Sequence, residues 1–351
     1  MRVAVILVHY RTPELAAAAV EALQADAARS GLEIEGIVVD NDSEEGDRAL
    51  LESLPFERVD PGANLGFAGG VNLGVSRSRA DRIVVMNPDV RVLPGCLGAL
   101  MDTLSAGAPI AGPRFYWDET RRMLLPPAEE RSRAAELLSL LAARGERWAV
   151  RARRRWRRHA RRHWEAERPL ASYALSGSLL AFTRSAWDRV GPFDEAYRLY
   201  FEETDWLRRA ERMNLPARYV PAAEAIHLHA RSTVREPRSG GWFEESARRF
   251  RERHYGRWFN VLLEGLAGRP QPTPVPRERC DELDLSSFLP PFWVEVSPNP
   301  TGFPAAAERL TAPLKAPWRL PQDVAERLAG AELALQVVDD VGRELQACRL
   351  I

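Results

Sequence analysis

Apolar runs alternate with helix-like stretches along the first 90 residues of the chain. Residues 2–10 form a continuous apolar run, as expected of a buried parallel strand. Thr12-Pro13-Glu14 then supplies the residue types that begin a helix, and similar apolar runs return at residues 33–39 and 82–86. Because strands that alternate with helices build parallel sheets, this pattern predicts an α/β domain with a mostly parallel sheet flanked by helices.

Three acidic segments stand at or just past the ends of apolar runs. Residues 38–43 read VVDNDS, residues 85–90 read VMNPDV, and residues 200–206 read YFEETDW. In an open α/β sheet, ligands bind outside the carboxyl ends of the strands. The three segments therefore predict one crevice shared by a nucleotide, a metal ion and a catalytic base.

The rest of the chain changes character twice. Residues from about 128 to 168 are helical in pattern, Leu-rich first and Arg- and Trp-rich after, before the α/β pattern resumes. A Pro-rich stretch then precedes short alternating runs typical of a small β module. The predicted organisation is an α/β domain over residues 1–268 with the helical insertion at 128–168, a linker at 269–279, and a β-rich module at 280–351.

Charge is unevenly spread along a chain of 351 residues with a formal net charge of zero. Between residues 144 and 168 eleven Arg stand against three Glu, a local excess of +8. Trp148, Trp156 and Trp164 recur in this stretch every eight residues and so fall near one helical face. The face is suited to an anionic membrane surface, or equally to packing on the protein body, whereas the neutral total disfavours nucleic acid.

The compartment is predicted from what the chain contains. Cys96, Cys280 and Cys348 are far apart and lack metal-ligand spacing, which fits a reduced cytosolic compartment. Met1 runs straight into an apolar strand without a signal peptide, and no stretch approaches the ~20 apolar residues that cross a bilayer. The expectation is a cytoplasmic protein, with a peripheral position on the inner face of the cell membrane as the alternative.

Six segments in a fixed order resemble the inverting family 2 glycosyltransferases, in their rhamnosyltransferase-like branch. They cover roughly residues 1 to 260 and comprise residues 7–15, 38–43, 64–74, 86–90, 191–205 and 226–233. The resemblance implies a GT-A fold, a Rossmann-like sheet that binds a nucleotide sugar.

The nucleotide-sugar site is carried over from the resemblance. Asp40 is expected to bind the base or ribose, since a carboxylate accepts hydrogen bonds from an imide N–H or from hydroxyls. Its alternative is a carboxylate that caps a turn. Further contacts are expected from a Gly-rich turn that opens a helix and from two later segments, namely Asn64, Gly66, Gly69, Asn72, Asn87 and Arg231.

A divalent metal, Mg²⁺ or Mn²⁺, is implied at Asn87-Pro88-Asp89, which stands where the family has Asp-x-Asp. Asp89 is the expected carboxylate ligand, because Asn87 offers only a neutral oxygen. His227 and His229 alternate along a strand, and one of them is expected to face the site as a metal ligand or a diphosphate contact. His227 fits the family position better, and His229 is the alternative.

The resemblance places a catalytic acid pair at Glu202-Glu203. Its second member, Glu203, is expected to deprotonate the acceptor hydroxyl, with Glu202 and Asp205 as rivals. The alternative is that these acids only complement the dipole at a helix start.

The resemblance thus implies an inverting glycosyltransferase that moves L-rhamnose from dTDP-rhamnose to a cell-surface glycan or a polyprenyl-diphosphate-linked acceptor. A UDP-hexose or UDP-galactofuranose transferase is one alternative, and a non-catalytic glycan- or nucleotide-binding protein is another. In the C-terminal module, exposure of Trp293 and Trp318 would favour glycan binding, whereas burial would favour a structural role or a dimer interface.

Overall fold

The computed structural model describes residues 1–228, 239–266, 279–280 and 283–350. The chain divides into two compact units, one of Met1–Arg114 with Ala166–Asn260, the other of Phe115–Glu165 with Val261–Ile351. The predicted linker, residues 269–279, lies outside the described part except for Arg279.

The described strands are β1 (Arg2–His9), β2 (Glu33–Asp40), β3 (Glu57–Val59), β4 (Arg82–Met86), β5 (Val90–Val92), β6 (Ile110–Tyr116), β7 (Leu170–Ala171), β8 (Leu179–Thr183), β9 (Ala217–His227), β10 (Phe292–Ser297), β11 (Ala306–Leu310), β12 (Leu333–Asp339) and β13 (Glu344–Leu350). The described helices are α1 (Pro13–Ser30), α2 (Glu45–Glu52), α3 (Gly66–Arg77), α4 (Cys96–Ser105), α5 (Arg133–Ala142), α6 (Glu146–Trp164), α7 (Arg184–Val190), α8 (Glu202–Arg212), α9 (Ser239–Tyr255), α10 (Arg257–Leu266) and α11 (Gln322–Arg327).

The α/β class is confirmed by the large sheet, whose order is β3-β2-β1-β4-β8-β6-β9-β5 with β7 beside β9. Strands β3, β2, β1 and β4 are parallel, while β8 and β5 join in antiparallel pairs with β4 and β9. Every residue of β1 after Arg2 is buried, as its continuous apolar run requires. The parallel half consequently brings the carboxyl ends of β2, β1 and β4 to one edge.

Helix α3 packs closely on β1 because the α3 residues at the contact are glycines, which have no side chain. A Cβ at Gly74 would lie 2.2 Å from Ile6 Cγ2, and one at Gly70 would lie 2.7 Å from Val8 Cγ1. The Gly-rich segment that resembles a nucleotide loop therefore has a packing role along most of its length.

Several elements differ from the sequence expectation. Helix α2 and strand β5 are not indicated by the sequence pattern, and the short apolar runs at residues 217–220 and 224–228 belong to the single strand β9. The helical stretch after residue 239 is divided into α9 and α10, because Gly256 between them adopts a φ of +92° that favours glycine.

The Arg- and Trp-rich segment forms α6 and packs inside the second unit. Trp164 stacks on Trp293 with ring centroids 5.3 Å apart, and Trp156 contacts Trp164 edge-on. Arg157 donates to both carboxylate oxygens of Glu295 at 3.0 and 2.9 Å, and both side chains are buried. Because Trp156 and Trp164 belong to this core, membrane docking through the Trp face of α6 is wrong, and packing on the protein is what the structure shows.

These contacts also set a division of the chain that differs from the expected domains. Residues 128–168 were expected as an insertion in the first domain, whereas Phe115–Glu165 groups with the C-terminal strands. The second unit is built on the antiparallel sheet β11-β10-β12-β13. Trp293 and Trp318 are 1% and 2% exposed, so they are structural and not a glycan-binding surface.

Cys280 and Cys348 form a disulfide across 68 residues of sequence, which corrects the expectation of reduced thiols. The disulfide is possible because the backbone at Cys280 lies beside β13, where Cys280 N–H donates to Arg349 O at 2.8 Å. Cys96 is a buried free thiol. None of the helices in the described part combines the length and apolar character that crossing a bilayer requires.

The packing of α3 on β1 predicts opposite effects for two glycine substitutions. Gly74→Ala should lower the free energy of unfolding by about 1–3 kcal/mol through overpacking against Ile6. Gly46→Ala in α2, where an added Cβ meets nothing within 4 Å, should leave it unchanged or raise it by about 0.4–1 kcal/mol. Urea unfolding of both variants is the measurement, and equal stability of the two would contradict this packing.

Candidate active site

Two of the predicted site segments meet at one edge of the sheet because of strand register. His9, the last residue of β1, pairs with Asp40, the last residue of β2, and Leu7 pairs with Met86 of β4. Asn87-Pro88-Asp89 follows β4 directly, and so lies at the same edge as Asp40.

Asp40 is 1% exposed and is held by hydrogen bonds on both carboxylate oxygens. Ser43 N–H donates to Oδ1 at 3.1 Å, and Arg58 Nε donates to Oδ2 at 2.9 Å. His9 Nδ1 lies 3.5 Å from Oδ1. Burial by itself raises the pKa of Asp40, but these partners together hold that pKa well below its ordinary value. Asp40 is therefore a fixed negative charge.

His9 and Arg58 are site residues that sequence reasoning did not identify. Thr12 N–H donates to His9 Nε2 at 2.9 Å, so the ring proton is on Nδ1 and faces Ser43 Oγ and Asp40. His9 could have been predicted as a site residue, because it is the last residue of β1 and therefore lies at the ligand-binding edge of the sheet. Arg58 lies in β3 and reaches Asp40 only through tertiary structure, so no local sequence pattern predicts it.

The turn before α3 is fixed by amides. Asn41 Nδ2 donates to Gly66 O at 2.9 Å, and Gly66 N–H donates to Asn64 Oδ1 at 2.8 Å. Gly66 has a φ of +72°, and a Cβ there would lie 2.7 Å from Arg198 O. Asn64 is exposed at the surface of this turn, whereas Gly66 is needed for close backbone approach.

Two other predicted nucleotide contacts serve packing in this structure. A Cβ at Gly69 would lie 2.8 Å from Leu65 Cβ. Asn72 Oδ1 accepts from Phe193 N–H at 2.9 Å, while its Nδ2 donates to Phe193 O and to Glu195 Oε1. Asn72 thus clamps α3 to the segment that leads to α8.

Asp89 and His227 are brought together by the pairing of β5 with β9. Leu228 N–H donates to Asp89 O at 3.0 Å, and His227 Nε2 lies 3.5 Å from Asp89 Oδ1. Both side chains are buried or nearly so, at 3% and 9% exposure. Among the described residues no group of three or more His, Cys, Asp or Glu side chains is placed to hold a metal. His229 and Arg231 lie outside the described residues.

The turn Ser176-Gly177-Ser178 links the end of β4 to the acid pair. Asn87 N–H donates to Ser178 O at 2.9 Å. On the same turn, a Cβ at Gly177 would lie 3.0 Å from Glu203 Cγ and 3.3 Å from its Cδ. Glu203 and Asn87 therefore flank one short turn, which sequence reasoning did not single out.

The backbone is strained just before the acid pair. Tyr200 and Phe201 have φ values of 69° and 70°, which non-glycine residues rarely adopt. Phe201 is buried against Phe243 and Phe250 of α9. Packing of Phe201 thus holds the strained turn that begins α8 at Glu202.

The three acids at the start of α8 have different surroundings. Glu202 is 4% exposed, and burial followed by the charge of Glu203 raises its pKa well above the ordinary value. Asp205 is fully buried and accepts from Arg209 Nε at 2.9 Å and pairs with His254 Nε2 at 2.7 Å. Glu203 is partly exposed against Gly177. Of the three acids, Glu203 alone is both solvent-accessible and next to the turn Ser176-Gly177-Ser178. Asp205 has the surroundings of a structural ion pair.

The chain is similar in sequence to known proteins over the segments that form this site. Residues 4–163 match the family Glycosyl transferase family 2. Over 257 residues the chain is 34% identical to an N-acetylglucosaminyl-diphospho-decaprenol L-rhamnosyltransferase of Mycobacterium tuberculosis, covering 66% of this chain and 79% of the relative. The chain belongs to glycosyl transferase family 2.

Weaker similarities extend to other sugar transferases. This glycosyltransferase is 24% identical over 198 residues to a low-salt glycan biosynthesis hexosyltransferase of Haloferax volcanii, covering 55% of this chain and 58% of the relative. A solved mannosyltransferase from Pyrobaculum calidifontis, in complex with GDP-Man and Mn²⁺, has a TM-score of 0.44 and 16% identity, covering 76% of this chain and 73% of the other.

Burial of Glu202 predicts how the stability of this glycosyltransferase depends on pH. Below the ordinary value of 4.5 the carboxyl is protonated in both states. As the pH rises, the unfolded chain ionises while the folded chain keeps its proton, so the wild type should lose up to about 1.4 kcal/mol of unfolding free energy per pH unit relative to Glu202→Gln.

Urea unfolding of wild type and Glu202→Gln between about pH 5 and 8 measures this difference. Glu21→Gln, at an exposed glutamate of α1, is the matched control and should show no such slope. A pH-independent difference between wild type and Glu202→Gln would contradict a buried neutral carboxyl.

Proposed function

We propose that this glycosyltransferase transfers L-rhamnose from dTDP-rhamnose, with inversion, to a polyprenyl-diphosphate-linked glycan. The observation that carries the reaction is the position of Glu203 against Gly177, on the turn that also accepts a hydrogen bond from Asn87. The mycobacterial relative, whose name specifies a rhamnosyl donor group and a diphospho-decaprenol acceptor, supports the choice of substrates.

Glu203 acts as the general base. Its carboxylate takes the proton of the acceptor hydroxyl while the hydroxyl oxygen bonds to the anomeric carbon. The bond from that carbon to the diphosphate oxygen breaks on the opposite face, which inverts the configuration. Glu202, kept neutral by burial, adds no second negative charge beside the base.

The nucleoside end of the donor lies near Asp40. Arg58 joins Asp40 to Glu52 and Asp60 at 3.3 and 2.9 Å, so three carboxylates surround one guanidinium. This local excess of negative charge repels a diphosphate but suits the N–H and hydroxyl donors of a base and ribose. The diphosphate is accordingly directed toward Asp89, at the other end of the edge.

Asp89 and His227 fit a divalent cation in part. Their carboxylate oxygen and imidazole nitrogen are donors that Mn²⁺ accepts, and a bound diphosphate would supply further oxygens. When bound, the cation would stabilise the departing nucleoside diphosphate as a Lewis acid. Asn87 adds a neutral amide in place of a second acid, so Asp89 is the one carboxylate of the segment Asn87-Pro88-Asp89.

The acceptor determines where the enzyme works. A polyprenyl-diphosphate acceptor is held in a membrane, and we propose that transfer takes place on the cytoplasmic face, where nucleotide sugars are made. The product would then enter a cell-surface glycan.

A donor panel with purified protein tests this function. We expect transfer from dTDP-rhamnose to a polyprenyl-diphosphate-linked N-acetylglucosamine acceptor, and loss of transfer in EDTA with recovery on adding Mn²⁺. Turnover of a UDP-sugar alone would overturn the donor assignment. Absence of both transfer and dTDP binding would overturn the function.

Substitution of the two glutamates separates their roles. Glu203→Gln should reduce kcat by about 100-fold or more, because a general base typically contributes that much, while dTDP binding stays unchanged. Glu202→Gln, which keeps a neutral group at the buried position, should retain most of the activity. Transfer assays and calorimetric dTDP titration measure both, and the reverse order of effects would reassign the base to Glu202.

Removal of the carboxylate at position 89 should weaken metal use. Asp89→Asn should raise the Mn²⁺ concentration for half-maximal rate by about tenfold or more, since one charged ligand becomes neutral. Asp42→Asn, at an exposed turn on the same edge, is the matched control and should leave the metal dependence unchanged. An unaltered Mn²⁺ titration in Asp89→Asn would exclude Asp89 as a ligand.

A further inference from the structure

Helix α10 carries apolar side chains on two sides, and only one of them is buried. Phe259 and Leu263 are 2% and 8% exposed. By contrast, Trp258 is 60% exposed and Val261 is 66% exposed, and Leu262 and Leu266 remain 42% and 38% exposed. Large apolar side chains at this exposure on consecutive turns are unusual for a surface with no interaction.

The exposed residues form one stripe. Trp258, Val261, Leu262 and Leu266 are spaced i, i+3, i+4 and i+8, which places them within about 140° of the helix circumference. We call these four residues the α10 face. Gly265 lies within the same arc, so no polar side chain interrupts the face.

Basic residues flank α10 in the sequence. Residues 248–279, which include α10 and its Glu264, contain eight Arg and three Glu, a formal charge of +5. Asp194 pairs with Arg249 and Arg253 and offsets one of these charges. For a chain whose total charge is zero, the sequence around α10 is strongly basic.

Two occupants fit an apolar helical face, a bilayer surface and a second copy of the chain. A second copy would bring the two basic segments 248–257 against each other, which is unfavourable. A stable dimer also buries about 800 Å² on each partner, more than four partly exposed side chains supply. An anionic bilayer complements the arginines and accepts Trp258 at the level of the headgroups.

We propose that the α10 face docks this enzyme on the surface of an anionic lipid bilayer. Its purpose rests on the proposed lipid-linked acceptor, since docking would hold the enzyme beside an acceptor confined to the membrane. The docking segment is thus α10, and not the Trp face of α6 that the sequence suggested.

Vesicle co-sedimentation of the full-length protein tests the proposal. The probes are vesicles of phosphatidylglycerol with phosphatidylcholine, and vesicles of phosphatidylcholine alone. Wild type should sediment with the anionic vesicles, less so at high salt. The double variant W258S/V261S should bind at least about tenfold more weakly, because two exposed apolar side chains no longer insert.

The matched control is Val341→Ser, which removes an apolar side chain that is 76% exposed elsewhere on the surface. It should sediment as wild type does. Thermal unfolding of each variant checks that it is folded, and dTDP binding measured without vesicles reports the proposed function separately.

Equal sedimentation of W258S/V261S and wild type would overturn the proposal, as would a wild type that stays in the supernatant. A wild-type dimer that W258S/V261S dissociates, without any vesicle binding, would assign the α10 face to a second copy instead. If vesicle binding behaves as expected but dTDP does not bind, the docking surface stands and the proposed function fails.

Discussion

The site depends on the turn Ser176-Gly177-Ser178. Its Ser178 carbonyl accepts from Asn87 N–H and so fixes the end of β4, while the missing side chain of Gly177 admits Glu203. One short turn therefore sets the distance between the segment that carries Asp89 and the proposed base. The turn directly precedes β8, which pairs antiparallel with β4. The pairing of these two strands therefore fixes the distance between Asp89 and Glu203.

Buried charge is used here in two ways. Asp205 is paired with Arg209 on one carboxylate oxygen and with Arg253 and His254 on the other, whereas Asp40 is paired with Arg58 on one oxygen and accepts from Ser43 N–H on the other. Each carboxylate ties separate elements together, since Asp205 joins α8 to α9 and Asp40 joins β2 to β3. Glu202 has no cationic partner among the described residues, and burial, followed by the charge of Glu203, raises its pKa well above the ordinary value. Glu203 is thus left as the accessible carboxylate of the acid pair, while Asp205 fixes the helix that carries it.

The sequence predicts the parallel half of the sheet and the edge where Asp40, Asp89 and Glu203 lie, because burial patterns and strand ends are local features. It does not predict the partners Arg58 and His254, which reach their acids through tertiary contacts. It leaves the role of α6 open, because spaced tryptophans suit a bilayer and a protein core equally, and the stacking of Trp164 on Trp293 decides between them. Cys280 and Cys348 likewise pair only because the backbone near residue 280 runs beside β13.

The central claim is that a carboxylate on α8 acts as a base in a single displacement. The measurement that tests it most directly is the anomeric configuration of the rhamnosylated product, determined by NMR from a reaction with dTDP-rhamnose of known configuration. Direct displacement with Glu203 as the base should give a product inverted at the anomeric carbon. A product that retains the donor configuration would require a covalent or dissociated intermediate, and would contradict Glu203 as a general base in direct displacement.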